Sequence, residues 1–176
     1  MTEENQRILP TTPEMLFKCF DQLGIRGKTT SHPPVFTAEE GAKHWGGIEG
    51  MHCKNLFCKD AKGVLWLIVA PAEKRVDLKS VPRKIGSKRL SFASADLLFE
   101  KLGITPGSVT PFCLINDKKH DVRPVLDKEM MEQPLINFHP LTNTATTTIT
   151  PADLMTFIRF CGHEPVIVPV TEDEND

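Results

Sequence analysis

Two apolar runs separated by four turn-forming residues constrain this chain more than any other feature. Residues 52–59 and 64–70 flank Asp60-Ala61-Lys62-Gly63. Strand-like runs around a short Asp-to-Gly turn read as a β-hairpin. Residues 112–115 and 122–126 flank Asn116-Asp117-Lys118-Lys119-His120-Asp121, which reads as a second hairpin. Residues 135–138, 146–149 and 166–168 are shorter strand candidates. Hairpins dominate this pattern. The expected fold is therefore an α/β domain with a curled, mixed or mostly antiparallel sheet and flanking helices.

The helix signals lie outside these runs. Thr12-Pro13-Glu14 supplies an N-cap and a proline for the first helical position. Leu16, Phe17, Phe20 and Leu23 follow on one face, and Gly24 ends the helix, with Ile25 able to fold back onto it. Leu102-Gly103-Ile104 repeats that ending after a second helix from about Ser94. The shared Leu-Gly-Ile is read as a common helix stop and not as an internal repeat. A third helix starts at Thr150-Pro151-Ala152-Asp153 and stops by Gly162. A short one is expected from Thr37, where Glu40 completes a capping box.

At 176 residues the chain has enough length for one core, and we expect a single domain over residues 1–170. The last residues, Glu172-Asp173-Glu174-Asn175-Asp176, make 171–176 an acidic tail expected to be disordered. No apolar run approaches the roughly 20 residues needed to span a bilayer. Glu3 and Glu4 stand where a signal peptide would be basic, so a cytoplasmic location is expected, with no membrane partner. The five cysteines (Cys19, Cys53, Cys58, Cys113 and Cys161) match no disulfide or zinc framework, so neither metal nor cofactor is expected. The net charge of −2 hides an asymmetry. Residues 26–89 hold 13 Lys or Arg against 6 Asp or Glu, a local +7 that suits either a solvated face or a polyanion.

Three segments carry the chemistry. Lys54 sits in the otherwise apolar run Lys54-Asn55-Leu56-Phe57. Such a lysine can simply guard a sheet edge, but on an apolar face it is costly unless paired or functional. Gly107-Ser108-Val109-Thr110-Pro111 can be an ordinary turn, or a loop aiming backbone N–H groups at an oxyanion; Pro111 has no N–H, so the donors lie in 107–110. His139, in Asn137-Phe138-His139-Pro140-Leu141-Thr142-Asn143-Thr144, would alone read as a satisfied core histidine; its polar neighbours favour a pocket. A cation, backbone donors and a histidine suffice to polarise and hydrolyse an ester. A cysteine nucleophile is not signalled, because no paired base stands near Cys53 or Cys58. No Gly-x-Ser-x-Gly occurs either.

Taken together, the three segments resemble the trans-editing aminoacyl-tRNA deacylases, the superfamily of YbaK and of the editing insertion of bacterial prolyl-tRNA synthetase. Within it they are most similar to the ProXp-ala group, over about residues 10–169. The resemblance implies hydrolysis of mischarged Ala-tRNA(Pro), with the acceptor end of tRNA(Pro) and alanine as ligands. It leaves room for transient association with prolyl-tRNA synthetase or an elongation factor. It implies Lys54 and His139 as catalytic residues and Asn55 as a neighbour in the site. It makes Gly107, Ser108, Val109, Thr110 and Pro111 a loop embracing the 3′ end, with Asn137 and Phe138 lining the substrate site. It also implies that the substrate's own ribose hydroxyl helps activate the water. Lys59, Lys88 and Arg89 are the cations expected to touch tRNA phosphates. Strand alternation raises one difficulty: Lys54 and Asn55 should face opposite ways unless a bulge or the strand end intervenes. Deacylation of Cys-tRNA(Pro) or another small aminoacyl ester, and a nucleic-acid-binding module without catalysis, are the other readings.

Overall fold

A computed structural model describes residues 10–34 and 47–172 of the chain. Helix α1 runs Pro13–Leu23. The Thr12 hydroxyl accepts the Met15 N–H at 3.2 Å. Gly24, at φ 72°, turns the chain so that the Ile25 N–H reaches the Phe20 carbonyl at 2.9 Å. Both ends are therefore satisfied by the residues the sequence offered. Helix α2 is the short Val81–Ile85, α3 is Ala95–Leu102 capped by Ser94, and α4 is Pro151–Phe160 capped by Thr150. The helix expected from Thr37 lies outside the described residues, as does most of the acidic tail.

The strands are β1 Lys28–Ser31, β2 Met51–Asp60, β3 Leu65–Pro71, β4 Leu90–Phe92, β5 Val122–Asp127, β6 Ile136–Phe138, β7 Ala145–Ile149 and β8 Val166–Val168. They form one mixed sheet in the order β1-β7-β6-β2-β3-β5-β8, with β4 also on β2. The first expected hairpin is present: β2 and β3 pair antiparallel from Lys59↔Leu65 to Cys53↔Pro71. Asp60 builds its turn by accepting the N–H groups of Lys62 and Val64 at 2.9 and 3.0 Å.

The second expected hairpin does not form. Residues Pro111–Asn116 are a 3-10 helix, not a strand. Pro111 is pre-set for a helical first position, and the Thr110 hydroxyl accepts the Phe112 N–H at 3.3 Å. The Asp117 carboxylate then takes the N–H groups of Asp121 and Val122 at 3.0 and 2.9 Å, and His163 Nε2 at 2.8 Å. Burial pushes the Asp117 carboxyl up, but these hydrogen bonds outweigh it and hold the group below its ordinary 3.8. Thus redirected, β5 runs parallel to β3, and β8 runs parallel to β5. Strands β1 and β4, which the sequence reading did not anticipate, are too short to show a period.

The sheet is covered on both faces at its centre. Phe57, Leu65, Leu67 and Val69 pack with Leu16, Phe20, Leu98, Leu102, Phe112, Leu154 and Phe157 into the main core beneath α1, α3 and α4. Cys58, Trp66, Ile68 and Ala70 turn the other way and pack with Val81, Leu90, Val125 and Val170. This double coverage is why β3 reads as a continuous apolar run without alternation.

Candidate active site

Strand β2 positions the site through what its second edge lacks. One edge pairs with β3 along residues 53–59. On the other edge, β6 takes only Met51 and His52, in parallel, and β4 takes only residues 58–60. Among the described residues no strand occupies this edge between them. Lys54 and Asn55 lie in that gap. The pairing through the gap is continuous, so no bulge relieves the alternation. Lys54 therefore shares a face with Leu56 and Cys58, while Asn55 points to the face of Cys53 and Phe57.

Asn55, His52, Cys53, Asn137, Phe138, His139 and Thr146 line a small cavity of about 30 Å³. That is room for one or two waters or a comparably small group. Asn55 Oδ1 is buried there with no hydrogen-bond partner among the described residues. An unpaired buried carbonyl costs about 1–3 kcal/mol, so its placement points to a donor arriving with a ligand.

His139 follows β6 and is aimed by a tight turn. Leu141 adopts φ 65°, a left-handed conformation uncommon for leucine, and its side chain is 1% exposed in the main core. Burial of that side chain offsets the backbone strain. His139 Nδ1 lies 3.0 Å from the Ala145 carbonyl. A carbonyl only accepts, so Nδ1 carries the proton and the neutral ring presents Nε2 as an acceptor. Burial pushes the imidazole below its ordinary 6.5, the Ala145 carbonyl pulls it back, and His32 adds to the lowering.

His32 is a residue the sequence reading missed. It follows β1, and its ring lies 6.2 Å from that of His139, with Nε2 2.8 Å from the Thr146 hydroxyl. His52 is a third histidine of this cluster, also held low by burial. No sequence spacing relates positions 32, 52 and 139; the β1-β7-β6-β2 order brings them together.

Asn137 is committed to the scaffold. Its Nδ2 donates to the Glu49 carbonyl at 3.0 Å and its Oδ1 accepts from Thr148 at 2.5 Å. Gly50, at φ 101°, lets the chain pass so close that a Cβ there would meet Asn137 Nδ2 at 3.1 Å. Phe138 is 3% exposed, its ring edge-on to Phe112 at 5.7 Å. That contact ties the Gly107–Pro111 loop, which Phe112 follows, to the strand carrying His139. Within the loop, the Ser108 N–H is spent on the Thr105 carbonyl at 3.0 Å, which leaves the amides of Gly107, Val109 and Thr110 as the loop's donors.

Lys54 does not line the cavity. It sits partly buried on the opposite face, and burial alone lowers its pKa from 10.5. Lys59, Lys88 and Arg89 are exposed and gather at the far end of β2, where the Lys88 N–H donates to Asp60. Burial pushes the Cys53 thiol up to about 12, the reverse of what a thiolate nucleophile needs.

If the neutral form of His139 is the working one, activity should persist as pH falls below 6.5 and drop only as pH passes through the lowered pKa. Single-turnover rates between pH 5 and 8, corrected for spontaneous ester loss, check this. His139→Ala should lack the acid limb. An acid limb at or above 6.5 that survives in His139→Ala would assign it to another group.

The site thus gathers an interrupted strand edge, an acceptor histidine and an unpaired carbonyl, with a partly desolvated lysine on the opposite face of β2. The aminoacyl-tRNA editing domain family matches residues 32–157, and the chain belongs to that family. It is thus a hydrolase of the aminoacyl-tRNA ester bond. The chain is 40% identical over 152 residues to prolyl-tRNA synthetase associated domain-containing protein 1 of Xenopus laevis, covering 84% of this chain and 90% of that one. It is 39% identical over 146 residues to the prolyl-tRNA editing protein ProX of Acetoanaerobium sticklandii, covering 81% and 88%. Its fold matches the solved structure of a candidate trans-editing enzyme for prolyl tRNA synthetase with a TM-score of 0.70 at 22% identity, over 93% of this chain and 99% of the other. Among the described residues no helix is long and apolar enough to cross a membrane.

Proposed function

We propose that this protein clears alanine from mischarged tRNA(Pro) in trans. The observation that carries this reading is the cavity of about 30 Å³ in which Asn55 Oδ1 lacks a partner and His139 offers Nε2. Asn55 Oδ1 accepts a hydrogen bond from the aminoacyl ammonium. The alanine methyl, or the attacking water, fits the remaining space. His139 Nε2 accepts a proton-bearing partner, water or ribose hydroxyl, without needing to be a strong base, because the ester is already activated. Lys54, reached across the open β2 edge, holds the phosphate-bearing 3′ end. Amides of the 107–110 segment stabilise the oxyanion.

A second cleft adjoins this cavity through His52. It has a volume of about 390 Å³ and is lined by Gly50, Met51, Pro71, Glu73, Lys74 and Leu135 among others. That size suits a nucleoside, so the terminal adenosine is assigned there. Phosphate contacts by Lys59, Lys88 and Arg89 complete the acceptor-end assignment.

The test is a panel of Ala-, Cys- and Pro-tRNA(Pro) with the purified protein. Ala-tRNA(Pro) is expected to lose its amino acid at least about 10-fold faster than Pro-tRNA(Pro), since excluding a larger ring by shape exceeds the 10- to 200-fold limit set by one methylene only in the favourable direction. Preferential loss of cysteine would move the substrate to Cys-tRNA(Pro). No turnover of any ester, with tRNA still bound, would favour a binding module.

A further inference from the structure

Resting on that reading, we propose that Phe92 is a stacking platform for an unpaired base near the 3′ end of the RNA. Phe92 is the last residue of β4 and is 63% exposed, the most exposed of the large hydrophobic side chains among the described residues. A ring of this size left in water loses the burial that core aromatics gain, and nothing in the core requires it there.

The register places it. Phe92 lies opposite Cys58 on β2, and cross-strand partners share a face. Lys54, Leu56 and Cys58 alternate onto that same face, and His52, near the start of the strand, borders both the small cavity and the cleft assigned to the terminal adenosine. A line therefore runs down one face of β2 from the cleft at His52, past Lys54 and the half-buried Leu56, to Phe92. Its length is about 20 Å at about 3.3 Å per residue. Four unpaired nucleotides make three steps and cover that distance when the strand is drawn out to about twice its stacked spacing of about 3.4 Å.

The charge of the segment that carries Phe92 suits RNA. Residues 78–95, which include α2 and β4, contain Lys79, Arg83, Lys84, Lys88 and Arg89 and no acidic residue. Helix α2 packs onto the same sheet face through Val81, which joins Cys58 and Leu90 in the second cluster. An exposed aromatic bordered by cations is how proteins hold single strands irrespective of base identity. A second copy of this chain could also cover a short exposed edge strand, but the surplus of cations on both copies would oppose such pairing.

The experiment uses the full chain and an uncharged RNA microhelix ending in four unpaired nucleotides, with 2-aminopurine as the first of them. Wild type should quench the fluorophore on binding. Phe92→Ala should bind about 10-fold more weakly and lose the quench, the loss expected for one stacked base. Phe92→Trp should restore both, which a merely structural role for Phe92 would not predict. Hydrolysis of alanyl-adenosine, which lacks the upstream bases, should be the same in all three proteins. Unchanged RNA affinity and quench in Phe92→Ala would overturn the proposal, and so would a wild-type dimer that dissociates in Phe92→Ala without change in RNA affinity. If wild type hydrolyses no aminoacyl ester yet binds the microhelix through Phe92, the deacylase reading fails and the stacking platform stands.

Discussion

Lys54→Ala is expected to remain folded and to hydrolyse Ala-tRNA(Pro) about 10²- to 10³-fold more slowly than wild type, the cost typical of removing one preorganised electrostatic partner. Lys54 stands between the stretches of strand edge claimed by β6 and β4, where no strand among the described residues pairs with β2. Burial lowers its pKa, and among the described residues no carboxylate compensates for that desolvation. A lysine kept only to discourage edge pairing would extend fully into water. Single-turnover deacylation alongside a thermal melt separates the two roles. Near-wild-type turnover in a well-folded Lys54→Ala would return the residue to edge protection. Lys54→Arg should recover part of the rate if phosphate attraction dominates, and little if a compact point charge is required.

Phe112→Ala is expected to destabilise the fold by about 3–5 kcal/mol, a large share of the roughly 5–15 kcal/mol available to a domain of this kind. Phe112 is fully buried, and its ring meets those of Phe20, Phe157 and Phe138 at 5.0, 5.4 and 5.7 Å. It thereby joins α1, α4 and β6 at one point, directly after the Gly107–Pro111 loop. The urea midpoint should fall sharply at unchanged slope. Activity at permissive temperature should also fall, because the ring holds the strand that carries His139. A loss under about 1 kcal/mol would mean that the surrounding rings collapse into the space.

The parts of this protein legible in its sequence are those governed by near neighbours. Thr12, Ser94 and Thr150 cap the helices that follow them because an N-cap needs only a hydroxyl three residues before an N–H. Asp60 and Gly63 close the first hairpin for the same reason. Lys54 was visible as a cation in an apolar run and His139 by its polar neighbours, and the resemblance of their segments to the editing deacylases added Asn55 and pointed to the family. The residues around Asn116 also looked like a hairpin, yet the Asp117 carboxylate and the distant His163 redirect that segment, and β5 finds its parallel partner in β3, more than 50 residues away. Parallel pairing leaves no local turn to read. Likewise, only the strand order could bring His32 and His52 beside His139, set Asn55 and not Lys54 in the small cavity, and align Phe92 with Lys54 on one face. Local hydrogen bonding and periodicity act over three or four residues and are written in the chain. The site is made by contacts across the sheet, and those exist only once the core has chosen which strands meet.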